Sequence, residues 1–249
     1  MTVRAGRHTQ VKICGIRTLA EAGVALEAGA DMLGFVFYRA AARYITPDRV
    51  AALVGEVRER FSRAWQAVGV FVNEPLDSLN EILLGCDLDV AQLCGEEPPD
   101  YCVRTARPVF KVLRARDNGW SVDRLRHEQM GYEVARFMID SHVDGFYGGT
   151  GVVSDWTTLG GLLDGMILAG GLRPENVASA LAVSGAWGVD VSTGVERDGG
   201  KDPALVRAFI AAVRRHDQEP GDRDARSAPN QIQKAKRHAQ PASVPGGLS

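Results

Sequence analysis

The 249 residues are 45% hydrophobic and carry a formal net charge of −2, with a pI near 6.2. That length and apolar content suffice for one large α/β barrel or two smaller domains, and the lack of a basic excess argues against a nucleic-acid groove. No apolar run approaches the roughly 18 residues of a membrane span, Met1 to Gln10 lack the apolar centre of a signal peptide, and Cys14, Cys86, Cys94 and Cys102 form no C-x-x-C pair. A cytoplasmic chain with free thiols and without disulfide, metal or redox cofactor is the expectation.

Met1 to Gln10 is polar and patternless and reads as a loose extension (residues 1–10). Val11-Lys12-Ile13-Cys14-Gly15 then reads as a short buried strand stopping at a glycine just after a thiol. Thr18 and Glu21 have capping-box spacing, Leu19, Ala22 and Leu26 share a helical face, and Gly29 suits a left-handed cap. Asp31 to Phe37 is the second apolar run. A helix is expected from Thr46-Pro47, with Val50, Val54, Val57 and Phe61 on one face. Ala67–Val72, Leu88–Leu93, Val109–Leu113, and Ala135–Ile139 ending at Asp140 give strands three to six. Leu76, Leu79 and Leu83 mark the helix after strand three. The segment around Pro98-Pro99 is poorly patterned, and Val122–Met130 is a charged helical stretch. Met166–Ala169 and Gly188–Val191 supply strands seven and eight, Pro174 is placed at the start of a helix carrying Val177 and Leu181, and Asp202-Pro203 opens the last helix with Val206, Phe209, Ile210 and Val213.

Eight strands alternating with about eight helices in one parallel series predict a (β/α)8 barrel over residues 11–216. A doubly wound open sheet is the alternative, but no G-x-G-x-x-G follows the first strand. From residue 217 to 249 the composition shifts to Gln, Pro, Asp, Arg, Ser and Gly, too poor in large apolar residues to bury a core, so a disordered tail is expected and a chain ending near Arg215 is expected to keep its stability. The Lys234, Lys236 and Arg237 cluster falls in this stretch.

In parallel barrels, chemistry gathers where strands end and loops to helices begin. Cys14 stands at such a place, and alternation puts Lys12 on the same strand face. A lone cysteine is otherwise most simply a small buried hydrophobe. Glycine-containing turns follow strands seven and eight, at Leu168-Ala169-Gly170-Gly171-Leu172 and Asp190-Val191-Ser192-Thr193-Gly194-Val195-Glu196. Backbone N–H groups in two adjacent turns of this kind can close on phosphate oxygens. Neither turn carries a P-loop lysine, which favours a sugar phosphate over a nucleoside triphosphate. Gly145 to Gly151 is glycine-rich enough for a loop that folds over substrate or for a plain surface loop, and His142 reads as an exposed loop residue. Asp190, on the strand that closes against strand one, is expected either to pair with Lys12 or to meet the ligand.

Taken together, these pieces resemble the phosphoribosylanthranilate isomerase family of tryptophan biosynthesis. The matching stretches are Lys12-Ile13-Cys14-Gly15, Gly34-Phe35-Val36-Phe37, Arg43-Tyr44, Val68 to Asn73, Gln92-Leu93 with Gly95, Tyr147 to Gly151, Asp155-Trp156, Leu168 to Leu172, Pro174-Glu175-Asn176-Val177, and Val189 to Ser192 with Gly194-Val195-Glu196. The resemblance implies an Amadori rearrangement of N-(5-phosphoribosyl)anthranilate, with Cys14 as general base and Asp140 as general acid. It further implies Arg43 as partner of the anthranilate carboxylate, and Gly170, Gly171, Asp190, Ser192, Thr193 and Gly194 around the phosphorylated substrate. The chain departs from the family pattern at Ala41-Ala42 (usually Ser-Pro), Cys94 (usually histidine) and Thr193 (usually serine), which bears on affinity and substrate range. Two rivals are weighed. A histidine-pathway isomerase uses two aspartates, which Cys14 opposes; a non-catalytic sugar-phosphate-binding barrel needs neither Cys14 nor Asp140. The expected partner is a small phosphorylated molecule, and the expected state a monomer or homodimer, with no nucleic acid or membrane.

Overall fold

The structure is a computed structural model and describes residues 8–114, 122–140 and 163–218. Strands β1 (Gln10–Cys14), β2 (Met32–Val36), β3 (Gln66–Phe71), β4 (Val90–Leu93), β5 (Val109–Arg114), β6 (Arg136–Asp140), β7 (Ile167–Ala169) and β8 (Gly188–Val191) close into a barrel in sequence order. All neighbours are parallel, and Lys12 of β1 lies in register with Asp190 of β8 at the closing seam. The helices are α1 (Leu19–Ala28), α2 (Pro47–Arg60), α3 (Leu76–Gly85), α4 (Pro99–Arg104), α5 (Val122–Gln129), α6 (Val177–Ser184) and α7 (Pro203–Gln218).

Because helices cover the sheet, each strand buries both faces, which is why these strands read as near-continuous apolar runs. Val11, Ile13, Leu33, Phe35, Ala67 and Leu168 point outward and pack with Leu26, Val54, Leu79 and Val206 of the helical layer. Met32, Val68, Val90, Phe110, Met138 and Ile167 fill the barrel interior. The expected capping box at α1 is formed, with Thr18 and Glu21 side chains each accepting from the other's backbone N–H, and Gly29 takes the left-handed cap at φ 104°. Thr46 stands at the cap of α2 but its side chain makes no capping bond.

Three expectations change. The supposed extension ends earlier, because Gln10 is already in β1 and Thr9 is fully buried. The last helix runs on to Gln218, and Asp217 accepts hydrogen bonds from the Thr9 N–H (3.1 Å), the Thr9 hydroxyl and Arg214 (3.1 Å). Arg214 also reaches the Thr9 carbonyl at 2.6 Å and Asp31 at 2.9 Å, so the start of β1 and the end of α7 are tied together at the base of the barrel by polar groups that no apolar pattern announces. Finally, α6 starts at Val177 rather than Pro174. The Asn176 side chain folds back instead, accepting from Arg173 N–H (2.7 Å) and donating to the Gly171 carbonyl (3.0 Å), which uses residues 173–176 as a turn.

A buried ion pair braces the loops on the side of β3 to β5. Lys111 donates to Glu97 at 2.6 Å and to the Gly95 carbonyl at 2.8 Å, while Glu97 accepts from the Asn73 (2.9 Å) and Gly95 (3.1 Å) N–H groups. Asn73, which the sequence left with only a weak signal, holds φ 51° and accepts from Glu96 N–H, a structural task. Residues 145–151, His142, Asp155-Trp156 and the stretch from 219 onward lie outside the described residues. Among the described residues no helix is long and apolar enough to cross a membrane, and no three His, Cys, Asp or Glu side chains gather as a metal-holding group.

Candidate active site

The C-terminal ends of the strands surround one pocket. Its walls include Cys14, Arg43, Asp140, Gly170, Gly171, Asp190, Ser192, Thr193 and Gly194, so these nine residues, singled out from sequence for proton transfer or binding, reach the same mouth. Four others there were not foreseen: Tyr38, Gln92 and Arg114 on the wall itself, and Glu196 behind Arg43.

Cys14 ends β1 and is 7% exposed. One turn of the alternation below it, Lys12 is wholly buried and bonds Asp190 across the seam at 2.9 Å. Both groups sit over Gly34 of β2, where a Cβ would come within 2.9 Å of the Cys14 sulfur and of the Lys12 Nζ alike. The glycine therefore makes the space in which thiol and ammonium meet. Burial pushes the Cys14 thiol up, against a downward pull from Lys12; Asp190 adds to the rise and Lys201 opposes it. Burial works to lower the Lys12 ammonium, but the Asp190 and Cys14 charges and hydrogen bonds outweigh it and the net direction is upward. The Lys12 ammonium is thus favoured in its charged form, with the thiol as its neighbour.

Across the mouth, Asp140 ends β6 in register with Arg114 of β5, so a cation and a carboxyl stand side by side on the wall. Gln92, 5% exposed, donates to the Cys94 sulfur at 3.4 Å, and its Oε1 is buried without a hydrogen-bond partner among the described residues. That leaves an acceptor available to a substrate N–H or O–H. The Cys94 thiol is pushed up to about 12 by burial, which makes it a neutral, apolar wall element.

The two glycine turns converge. Gly170 and Gly171 both have positive φ, 87° and 63°, and a Cβ on Gly194 would collide with the Leu172 carbonyl, so the β7 and β8 loops touch at backbone distance. A short 3-10 turn, Thr193–Val195, turns its start toward the pocket. Ser192 is partly committed elsewhere: its hydroxyl donates to the Cys14 carbonyl at 3.1 Å and ties β8 to β1 at the rim.

Arg43 is set by its loop. Tyr44 N–H bonds Ala41 O (3.0 Å), Ile45 N–H bonds Val36 O (3.0 Å), and Val36 and Tyr44 form a parallel bridge, so the loop is anchored despite Ala41-Ala42. The arginine stem crosses Gly15, where φ is 82° and any side chain would strike it. Its guanidinium then engages Glu196 through a two-pronged contact, Nε to Oε1 at 2.6 Å and Nη2 to Oε2. Glu196 also accepts from Lys201, whose Nζ reaches the Ser192 carbonyl at 3.1 Å. Strands β9 (Glu196–Arg197) and β10 (Gly200–Lys201) form a hairpin that pairs Glu196 with Lys201 directly. Asp198-Gly199 makes its two-residue turn, with φ 51° and 78°. An Asp-Gly pair is a strong hairpin signal and would have revealed this element in the sequence. The hairpin rests on α1: Glu21 accepts from Lys201 N–H at 3.2 Å, and Arg17 donates to the Gly199 carbonyl.

Comparison with known proteins agrees with this geometry. The sequence profile of the N-(5'phosphoribosyl)anthranilate (PRA) isomerase family matches residues 11–212. The N-(5'-phosphoribosyl)anthranilate isomerase of Moorella thermoacetica is 44% identical over 212 residues, 84% of this chain and 91% of that protein. That of Geotalea uraniireducens is 43% identical over 205 residues, 81% of this chain and 97% of that protein. The crystal structure of phosphoribosyl anthranilate isomerase from Thermotoga maritima superposes with a TM-score of 0.73 at 33% identity, covering 83% of this chain and 99% of that one. A crystal structure of the enzyme in complex with reduced 1-(o-carboxyphenylamino)-1-deoxyribulose 5-phosphate gives 0.69 at 33% identity, covering 83% of this chain and 99% of that one. With the barrel, the mouth and the profile in agreement over the same residues, the chain belongs to the N-(5'-phosphoribosyl)anthranilate isomerase family.

Proposed function

We propose that Cys14 is the general base and Asp140 the general acid of the isomerisation this chain performs in tryptophan biosynthesis, the conversion of an aldose amine to a 1-amino-1-deoxy-ketose. The observation that carries the assignment is their placement: one thiol and one carboxyl on strands β1 and β6 of the same mouth, with the paired glycine turns of β7 and β8 between them in the strand order. A phosphate held at Gly170, Gly171, Thr193 and Gly194 lays the ribose across the mouth.

Ring opening needs a proton on the ring oxygen, and Asp140 is the group to give it. The C1–N bond becomes an iminium as the ring oxygen leaves. Loss of the C2 proton to Cys14 then yields an enolamine, which tautomerises to the ketose. For that step the base must be the thiolate. Burial works against this form, and Lys12 works for it, by placing a fixed ammonium beside the sulfur. Arg43 meets the anthranilate carboxylate, since a guanidinium offers planar paired donors.

Asp140→Asn and Cys14→Ser separate the two transfers. Each is expected to lower turnover by about 10²–10⁴-fold, followed through the fluorescence of the anthranilate-derived substrate. With deuterium at C2, Cys14→Ser should show an enlarged isotope effect. Near-normal turnover without that enlargement would remove Cys14 as the base.

A further inference from the structure

Arg43 already holds a carboxylate. Its Nε and Nη2 both face Glu196, so that edge of the guanidinium is occupied, and Nη1 together with the second Nη2 hydrogen is what remains for a ligand in the pocket that Arg43 lines. Glu196 in turn sits between two cations. Lys201, with a side chain only 1% exposed, bonds the same Oε1 that Arg43 Nε uses. Two positive groups thus surround one negative group, 12% exposed, at the edge of a pocket expected to receive a second carboxylate.

We propose that Glu196, with its charge balanced by Lys201, is a positioning residue that fixes the Arg43 guanidinium for end-on recognition of the substrate carboxylate; this rests on the reading of Arg43 given above. The electrostatic argument has two parts. An arginine on a surface loop samples many rotamers, and a two-pronged contact to a half-buried carboxylate removes that freedom before the ligand arrives. A guanidinium whose charge is fully spent on Glu196 would have little left for a second anion. Lys201 supplies the second cation, so that when the substrate carboxylate enters, two anions face two cations and no charge is left unbalanced. The hairpin of β9 and β10 serves this arrangement directly, since its register sets Glu196 opposite Lys201.

The test compares two substrates, N-(5-phosphoribosyl)anthranilate and its aniline counterpart, which lacks only the carboxylate. The quantity read is the ratio of their kcat/KM values. A merely structural role for Glu196 would lower both values and leave the ratio alone. Positioning of Arg43 predicts that Glu196→Gln lowers the ratio at least about tenfold, mostly through KM, and that Glu196→Asp restores part of it. Lys201→Met should also lower the ratio, because the uncompensated Glu196 then competes for Arg43; this variant carries the test should Glu196→Gln fail to fold. Arg43→Ala run alongside separates the two ideas. A ratio unchanged by Arg43→Ala would overturn the carboxylate reading of Arg43 itself. A ratio lowered by Arg43→Ala but unmoved by Glu196→Gln and Lys201→Met would overturn the positioning proposal alone.

Discussion

Removing Asp217 tests the clamp at the base of the barrel. Its carboxylate receives the N–H and hydroxyl of Thr9, a residue with no exposed surface, together with one Arg214 nitrogen at 3.1 Å. A chain ending at Arg215 strips these partners, leaving two buried donors at the start of β1 unmet. Each such loss costs about 1–3 kcal/mol, and Arg214 stays held by Asp31 at 2.9 Å, so a total of about 2–6 kcal/mol is expected. For a barrel of this size, 1 kcal/mol moves Tm by about 2–4 °C, which translates to a fall of roughly 4–24 °C. Thermal melts followed by circular dichroism should show the chain ending at Gln218 melting with the full-length chain and the chain ending at Arg215 well below both. Coincident melts of the two truncations would refute the clamp and return the boundary to where the sequence alone drew it.

Gly34→Ala should leave the barrel folded and lower turnover, because the new methyl lands 2.9 Å from both the Cys14 sulfur and the Lys12 Nζ; a misplacement of about 1 Å at a reacting group costs on the order of 10²-fold, and steady-state kinetics beside a melt would show wild-type turnover if the space is not needed. Gly194→Ala pushes a methyl into the Leu172 carbonyl and should weaken binding of inorganic phosphate measured by calorimetry, with unchanged affinity locating the anion elsewhere. Glu97→Leu strands the Lys111 ammonium and the Asn73 and Gly95 N–H groups, and urea titration should register a loss of about 3–5 kcal/mol. Because burial raises the Cys14 thiol, its alkylation by iodoacetamide in the free protein, followed at that residue by peptide mass spectrometry, should keep accelerating with pH past the ordinary cysteine value of about 8.5; a plateau below that point would contradict the raised thiol.

The strands were legible because a parallel barrel buries both faces of each, so Val11–Cys14 or Gly188–Val191 stands out as an apolar run between turns. That same two-sided burial hid the inward polar residues. Gln92 and Arg114 lie at strand ends where alternation separates mouth from helix layer, yet neighbours on both faces are apolar and the period is lost. Cys14 and Asp140 were legible as the ends of strands one and six, while the roles expected of them came only from the family resemblance. The Arg43 partner was out of reach of any local pattern, since Glu196 lies 153 residues away and is brought close only by barrel closure. Thr9 and Asp217, separated by 208 residues, were missed for the same reason, and their polarity made them look like the ends of loose chain.

The meeting of Thr9 with Asp217 carries a topological consequence. The first strand and the last helix of the barrel are already fastened side by side, on the face away from the substrate mouth. A few glycines and serines would span the gap between residues 218 and 9, turning the domain into a ring whose chain could be reopened elsewhere, for instance at the turn holding Asp87 at φ 49° on the same base-facing side. Such a permuted barrel would begin at β4 and end with α3, yet keep every strand neighbour and every residue of the mouth in place. The order in which the polypeptide visits the strands would then be a matter of history, while the cycle they form is what binds and converts the substrate.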